Sequence, residues 1–193
     1  VVYYFQALHK IAAGNDPAEP IASGLAVVAA CYRLGSVEPH CQYGEAQLLS
    51  ARAEWSRRQG RPFLADLEQA HQLAQRAVAQ LPDEQDALLA SAEIALQRAE
   101  ALVASDQRPV ALVKEGLDAI ERVLAGSPGF PRALALRGAL LMVRGKLERD
   151  RDPQRAAVVA ARAALAAAFG GNPLLKRRYE EVWKEADRQL QSQ

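Results

Sequence analysis

Apolar residues recur along this chain at two superimposed intervals. Within segments they fall three or four apart, as at Val113, Leu117, Ile120 and Leu124, the spacing that lines one face of an α-helix. Across the chain they fall 46 apart: Val2, Leu48, Ile94 and Leu140 form one set, and Ala7, Ala53, Ala99 and Gly145 another. A second phase of the same interval holds Gly24, Ala70 and Gly116, then Val28, Ala74 and Ile120, then Cys31, Ala77 and Val123. Two phases with one interval predict a two-helix unit used about four times, with units of about 1–36, 37–82, 83–128 and 129–172.

Breaker residues divide each unit into a first and a second helix. The expected first helices cover about 1–13, 40–59, 83–104 and 131–149, and the second helices about 17–34, 63–80, 109–125 and 152–168. Gly14-Asn15-Asp16-Pro17, Gly60-Arg61-Pro62 and Ser105-Asp106-Gln107-Arg108-Pro109 are the stops and restarts, with proline suited to a first helical turn. Gly170-Gly171-Asn172-Pro173 is expected to end the last pair and open a capping helix over 173–190, with Asn172 as its N-cap. Small residues at equivalent places, Ala46, Ala92 and Gly138 in first helices and Ala70, Gly116 and Ala157 in second helices, predict close helix contacts. Leu49, Leu88, Ile94, Leu134, Leu141, Val113, Leu117, Ile120, Leu124 and Leu165 are the expected core. Because Val2 aligns with Leu48, the first helix would open before Val1, and the chain reads as a piece of a longer or processed polypeptide.

Composition adds the fold class and removes electrostatic partners. Threonine is absent, and Ala, Leu, Gln, Glu and Arg, which lose little rotamer freedom in a helix, dominate, so the chain is expected to be all-α. With 24 basic and 23 acidic side chains the net charge is +1, which selects neither nucleic acid nor an anionic membrane. No apolar run is long enough for a membrane span, and Val1-Val2-Tyr3-Tyr4-Phe5 lacks a signal peptide's basic region, so the expected location is the cytoplasm.

The stretch from Gly116 to Gly138 resembles the second helix of one tetratricopeptide repeat followed by the first helix of the next. Gly116, Ile120, Val123, Leu124 and Pro128 match that pattern, as do Leu134, Gly138 and Leu141 in the following helix. Ala70, Ala74, Ala77, Val78 and Pro82 repeat the match; Gly24, Val28, Cys31 and Tyr32 give a weaker one, with Ser36 where proline is expected. Repeats of that family are usually about 34 residues, so the longer unit here implies longer helices or loops. The resemblance implies an α-α superhelix, a TPR-like solenoid of about four antiparallel helix pairs with a capping helix. In composition the chain also resembles helical-repeat regions attached to bacterial signalling proteins, notably the C-terminal parts of serine/threonine kinases, although no kinase motif is present.

Ligands of such repeats usually bind along the first helices, and the matching positions are Tyr43, Gln47 and Ser50, then Leu89, Glu93 and Leu96, then Ala135, Ala139 and Met142. Repeats that clamp a peptide carboxylate carry Lys, Arg and Asn there; these residues suit an amphipathic helix or apolar peptide instead. Leu89 and Met142 are expected to point into that groove. The implied function is a non-catalytic protein-interaction scaffold within a larger signalling protein. Its partner would be a protein or peptide, a neighbouring domain of the same polypeptide, or a second copy. A regulatory sensor for a small ligand, or a structural spacer or dimerisation unit, are the alternatives.

Candidate chemistry is sparse. Cys31, His40 and Cys41 are too few for a zinc site and read as two free, structural thiols, with no metal or cofactor expected. His9 and His71 have no nucleophile or carboxylate at a catalytic spacing, and His71 reads as a packing histidine, so no enzymatic activity is expected. The repeated Arg52, Arg98 and Arg144 and the run Lys176-Arg177-Arg178 stand beside Glu54, Glu100, Glu180 and Glu181, which reads as a solvated, salt-bridged surface.

Overall fold

The computed structural model describes residues 2–35 and 38–192, so the expectations that rest on Val1 and Ser36 lie outside the described residues. Among the described residues the chain is all-α, with nine helices and no strand. They are α1 (Val2–Ala12), α2 (Ala18–Leu34), α3 (Glu38–Arg58), α4 (Leu64–Gln80), α5 (Gln85–Val103), α6 (Val110–Gly126), α7 (Pro131–Leu147), α8 (Arg151–Gly171) and α9 (Leu175–Gln191). The helices gather into two compact units, Val1–Arg98 and Ala99–Gln193, divided within α5.

Three helices end on the same turn. Gly14, Gly60 and Asp106 have φ of 74°, 65° and 57°, and each stands 46 residues from the next. The following residue closes a six-residue ring in every case: Asn15 N–H donates to Lys10 O, Arg61 N–H to Ser56 O and Gln107 N–H to Leu102 O, each at 2.9 Å. This is the Schellman geometry, whose left-handed residue is best supplied by glycine. Asp106 takes it without glycine's freedom, as short polar side chains can.

Helix restarts depart from expectation in detail. Pro131 does open α7, but Pro17 and Pro109 stand at the N-cap positions of α2 and α6. The largest difference is at the end of α8, which continues through Gly170 and Gly171. Asn172 therefore closes α8 instead of capping α9; its Oδ1 accepts the Leu174 N–H at 3.1 Å, a local turn, and α9 begins at Leu175. Gly171 lies so close to Pro131 that a Cβ would come within 2.8 Å of the ring, so that contact with α7 carries the helix past a composition that usually stops one.

In the first unit α3 is the hub, packed by α1, α2 and α4. Tyr4, Ala7 and Ile11 of α1, Ile21 and Val28 of α2, and Cys41, Leu48 and Ala51 of α3 form one buried cluster. Ala46, Leu49, Ala70, Leu73, Ala74 and Ile94 form a second, joining α3, α4 and the first part of α5. The expected contact residues Ala46, Ala70 and Ala92 are all fully buried. In the second unit α7 packs on α6, α8 and α9. There Gly138 faces Leu165 and Ala161 of α8 at the closest approach. The expected core residues are buried, except Leu117 and Leu134, which are half-buried.

The α9 helix packs its apolar side on α7 and α8 and turns Lys176, Arg177, Glu180, Glu181, Lys184 and Arg188 to solvent. Arg162 of α8 fixes it, with its guanidinium 3.3 Å from the centroid of Trp183 and its Nε donating to Asp187. Phe169 backs the same ring at 5.3 Å.

One sequence expectation is overturned here. Cys31 and Cys41 are joined in a disulfide and are not free thiols. The α2 helix lies along α3, with Gly24 over Leu48 at mid-helix and Val28 beside Gly44, and the same pairing carried to the start of α3 sets Cys31 by Cys41, a tertiary effect invisible in a ten-residue spacing. Closing a loop of that length removes unfolded-state entropy equivalent to about 3 kcal/mol. Reduction, or Cys31→Ser, should lower the thermal midpoint accordingly, with the helical circular dichroism spectrum retained below the transition; an unchanged midpoint on adding dithiothreitol would show that the bond contributes nothing.

Candidate functional site

The nine expected groove residues are the natural place to look for a site. Six fall in the first unit and three in the second, and every one is buried: Tyr43 is 7% exposed, Leu96 6%, Met142 4%, and the rest less. The expectation that Leu89 and Met142 point outward is therefore corrected. Met142 lies among Leu141, Val158, Ala161 and Ala186, between α7, α8 and α9. Leu89 belongs to a stretch of α5, residues 87–96, in which every residue is buried. A helix covered on all sides has no face left to line a groove.

Polar members of the set, the Gln47 side chain apart, are held by the chain itself. Tyr4 of α1 donates its hydroxyl to Glu93 of α5 at 2.7 Å, across 89 residues of sequence, in a buried pair. Ser50 donates back to the Gln47 carbonyl at 3.0 Å, a bond within α3. The Gln47 side-chain Oε1 is buried without a hydrogen-bond partner among the described residues. Tyr43 packs on Ala77, Ala87 and Ala90, with its ring near His40 at 5.6 Å. Burial, reinforced by Asp86 and Glu84, raises its hydroxyl pKa. Ala135 and Ala139 are buried in α7 without polar function.

The Tyr4–Glu93 pair is the feature that sequence reasoning missed. A signal existed: Glu93 is the lone acid in the run Leu88-Leu89-Ala90-Ser91-Ala92-Glu93-Ile94-Ala95-Leu96, and an acid embedded so deeply in apolar sequence is buried with a partner.

Two of the three repeated arginines are clasps between helices. Arg52 of α3 holds Asp66 of α4 through two hydrogen bonds, at 2.8 and 2.7 Å. Those bonds raise the pKa of the guanidinium further, against the opposing effect of burial. Arg98 of α5 reaches α4 as well, donating to Glu68 and, at 2.5 Å, to Nδ1 of His71. Arginine carries only donors, so His71 Nδ1 is the acceptor. His71 is buried, as expected, but it also holds this polar contact. Arg144 pairs within its own helix, with Glu148. Exposed pairs of this kind are each worth about 0–1 kcal/mol.

Near the disulfide, Tyr32 donates to Glu45 at 2.6 Å, and burial followed by that carboxylate pushes its pKa up. Among the described residues no group of three or more His, Cys, Asp or Glu is placed to hold a metal ion. No helix among them is long and apolar enough to cross a membrane. No family model matches the chain, and neither a curated protein nor a solved structure matches it.

Proposed function

We propose that this chain is a non-catalytic helical-repeat scaffold that binds protein partners through outer helix faces. The repeat reading is that of a tetratricopeptide-like α-α superhelix with a 46-residue period, closed by α9. It is supported by the identical turns at Gly14, Gly60 and Asp106 and by the burial of Ala46, Ala92 and Gly138. The inner positions are already filled by the chain's own side chains, so recognition falls to the outside.

The observation that carries this reading is a contrast between second helices. Those of the two middle pairs expose Leu64 and Val110 at their first residues, but along their length their exposed faces are mainly polar: Glu68, Gln69, Gln72 and Arg76 on α4, and Lys114, Asp118, Glu121 and Arg122 on α6. Those of the outer pairs expose Ala22, Ala26, Val27 and Ala29 on α2, and Ala156, Val159, Ala160, Ala163 and Ala167 on α8. Val27 and Val159 are 54% and 51% exposed, and Leu34 beyond them 73%. Charge-poor apolar surface of this sort marks contact with another protein, where charged residues are depleted. A place for such a scaffold in a larger signalling protein, bacterial kinases included, rests on composition alone.

A photo-crosslinking amino acid at Ala26 or Ala163 should capture a discrete protein from a cell extract, while the same group at Gln72 of α4 should not. Equal labelling at all three positions, or none at any, would favour the spacer reading, to which the filled inner face also lends support. The compartment follows from a separate measurement. Disulfides persist in oxidising surroundings and are rare in the cytosol, so thiol alkylation at the moment of lysis decides between an oxidised, exported chain and the cytoplasmic one the sequence suggests.

A further inference from the structure

The Cys31–Cys41 bond stands at a place where the other helix pairs do without one. Cys31, Ala77 and Val123 are 46 residues apart, and so are Cys41, Ala87 and Ala133. Ala77 of α4 and Ala87 of α5 are both fully buried and share one cluster with Tyr43 and Ala90. Val123 of α6 and Ala133 of α7 are 5% and 0% exposed. In those pairs apolar packing seats the end of a second helix on the start of the next first helix.

The end of α2 is packed more thinly. Beyond Ala74, α4 still buries Ala77; beyond Ile120, α6 buries Val123 and Leu124. Beyond Val28, α2 buries no residue: Ala30 and Cys31 are half-buried, and Ala29, Tyr32, Arg33 and Leu34 are exposed. Tyr32 takes the place of Leu124, and where that leucine gives buried apolar area, Tyr32 gives a hydrogen bond to Glu45. Cys41, on the α3 side, is only 2% exposed. The covalent bond therefore compensates for apolar contact that the last two turns of α2 do not make.

We propose that the Cys31–Cys41 bond is a redox-operated latch: oxidised, it holds residues 29–34 of α2 on the start of α3, and reduced, it lets them lift and uncover Cys41 while the rest of the unit stays folded. The latch does not depend on the scaffold reading. Ile21, Gly24 and Val28 keep the body of α2 on α3, since their contacts do not involve the sulfurs. A reduced pair keeps only the packing of two small apolar side chains. The reaction is thiol–disulfide exchange with a dithiol. A thiolate of the dithiol attacks Sγ of Cys31, the half-buried member, forming a mixed disulfide and expelling Cys41 as a thiolate that takes up a proton. The second thiol of the reductant, losing its proton, attacks the reductant's own sulfur in that mixed disulfide, and Cys31 leaves and is protonated. Two electrons and two protons pass to the protein, and the dithiol becomes a disulfide. The chain has two cysteines, so no other intramolecular pairing competes and reoxidation restores the same bond.

Native-state thiol labelling tests the latch. The intact chain is reduced with dithiothreitol, freed of reductant and exposed to iodoacetamide over a series of low urea concentrations, with labelling at Cys41 followed by mass spectrometry. The control is Ala87→Cys in a chain carrying Cys31→Ser and Cys41→Ser, which puts a thiol at the equivalent buried position and also lacks the bond. Cys41 should label at least about tenfold faster than residue 87, at a rate nearly independent of urea, the mark of a local opening that exposes little surface. Reoxidation should restore its protection. Labelling of Cys41 that rises steeply with urea and matches residue 87 overturns the proposal, because the thiol then waits for the whole unit to unfold. So does a bond that dithiothreitol leaves intact without denaturant, or loss of the helical circular dichroism spectrum on reduction.

Discussion

Leu89→Glu is expected to unfold the first unit at neutral pH, because it puts a carboxyl where the native side chain is 1% exposed and its neighbours in α5 are buried on every side. Placing an ionisable group there removes about 1.5–3 kcal/mol of apolar burial and adds a desolvation cost of several kcal/mol. Together these rival the whole stability of a typical domain, about 5–15 kcal/mol. The pH dependence has a definite sign. A buried carboxyl has its folded-state pKa raised above the unfolded value of about 4.3, so the unfolded state releases its proton first. The penalty is smallest below about pH 4 and grows as pH rises towards neutrality. Chemical denaturation at pH 4 and pH 7 measures both effects; a variant as stable as wild type at pH 7 would show that Leu89 faces a groove after all.

That reversal shows what was legible in the sequence and what was not. Helix number, order and most boundaries follow from the three-to-four residue spacing and from Gly14, Gly60 and Pro131, since those signals are local. Which face of a first helix stays open is not local. In α5 the residues 87–96 include only Ser91 and Glu93 as polar members, and a helix so uniformly apolar has no outward side to give. The family resemblance supplied an outward side by analogy, and Tyr4 of α1, reaching Glu93 of α5, occupies it instead. The Cys31–Cys41 bond was hidden for a related reason: pairing depends on how α2 lies on α3, which the spacing of two cysteines does not encode. Small residues transferred better. Their meaning is steric and survives any arrangement of helices, so Gly138, expected as a helix contact, proves to be a point of closest approach, and Gly24, which shares the 46-residue interval with Ala70 and Gly116, is another.

Gly138→Leu draws on that steric meaning directly. A Cβ at residue 138 would sit 2.6 Å from Leu165 Cγ and 3.1 Å from the Ala161 carbonyl oxygen, the first a branch point and the second backbone. Neither can swing aside as a flexible chain end could, so α7 and α8 must separate, and α9, which packs on both, loses its seat with them. Overpacking commonly costs about 1–3 kcal/mol, occasionally more; a contact against a fully buried Leu165 and main chain belongs at or above the upper end. Gly138→Ala should already destabilise, and Leu165→Ala in the same chain should recover part of the loss by vacating the space, giving a favourable coupling in the double-mutant cycle. Gly129→Leu, where no atom lies within 4 Å of the added carbon, serves as the control. Equal melting temperatures for the substitutions at 138 and 129 would show that α7 and α8 do not meet at Gly138.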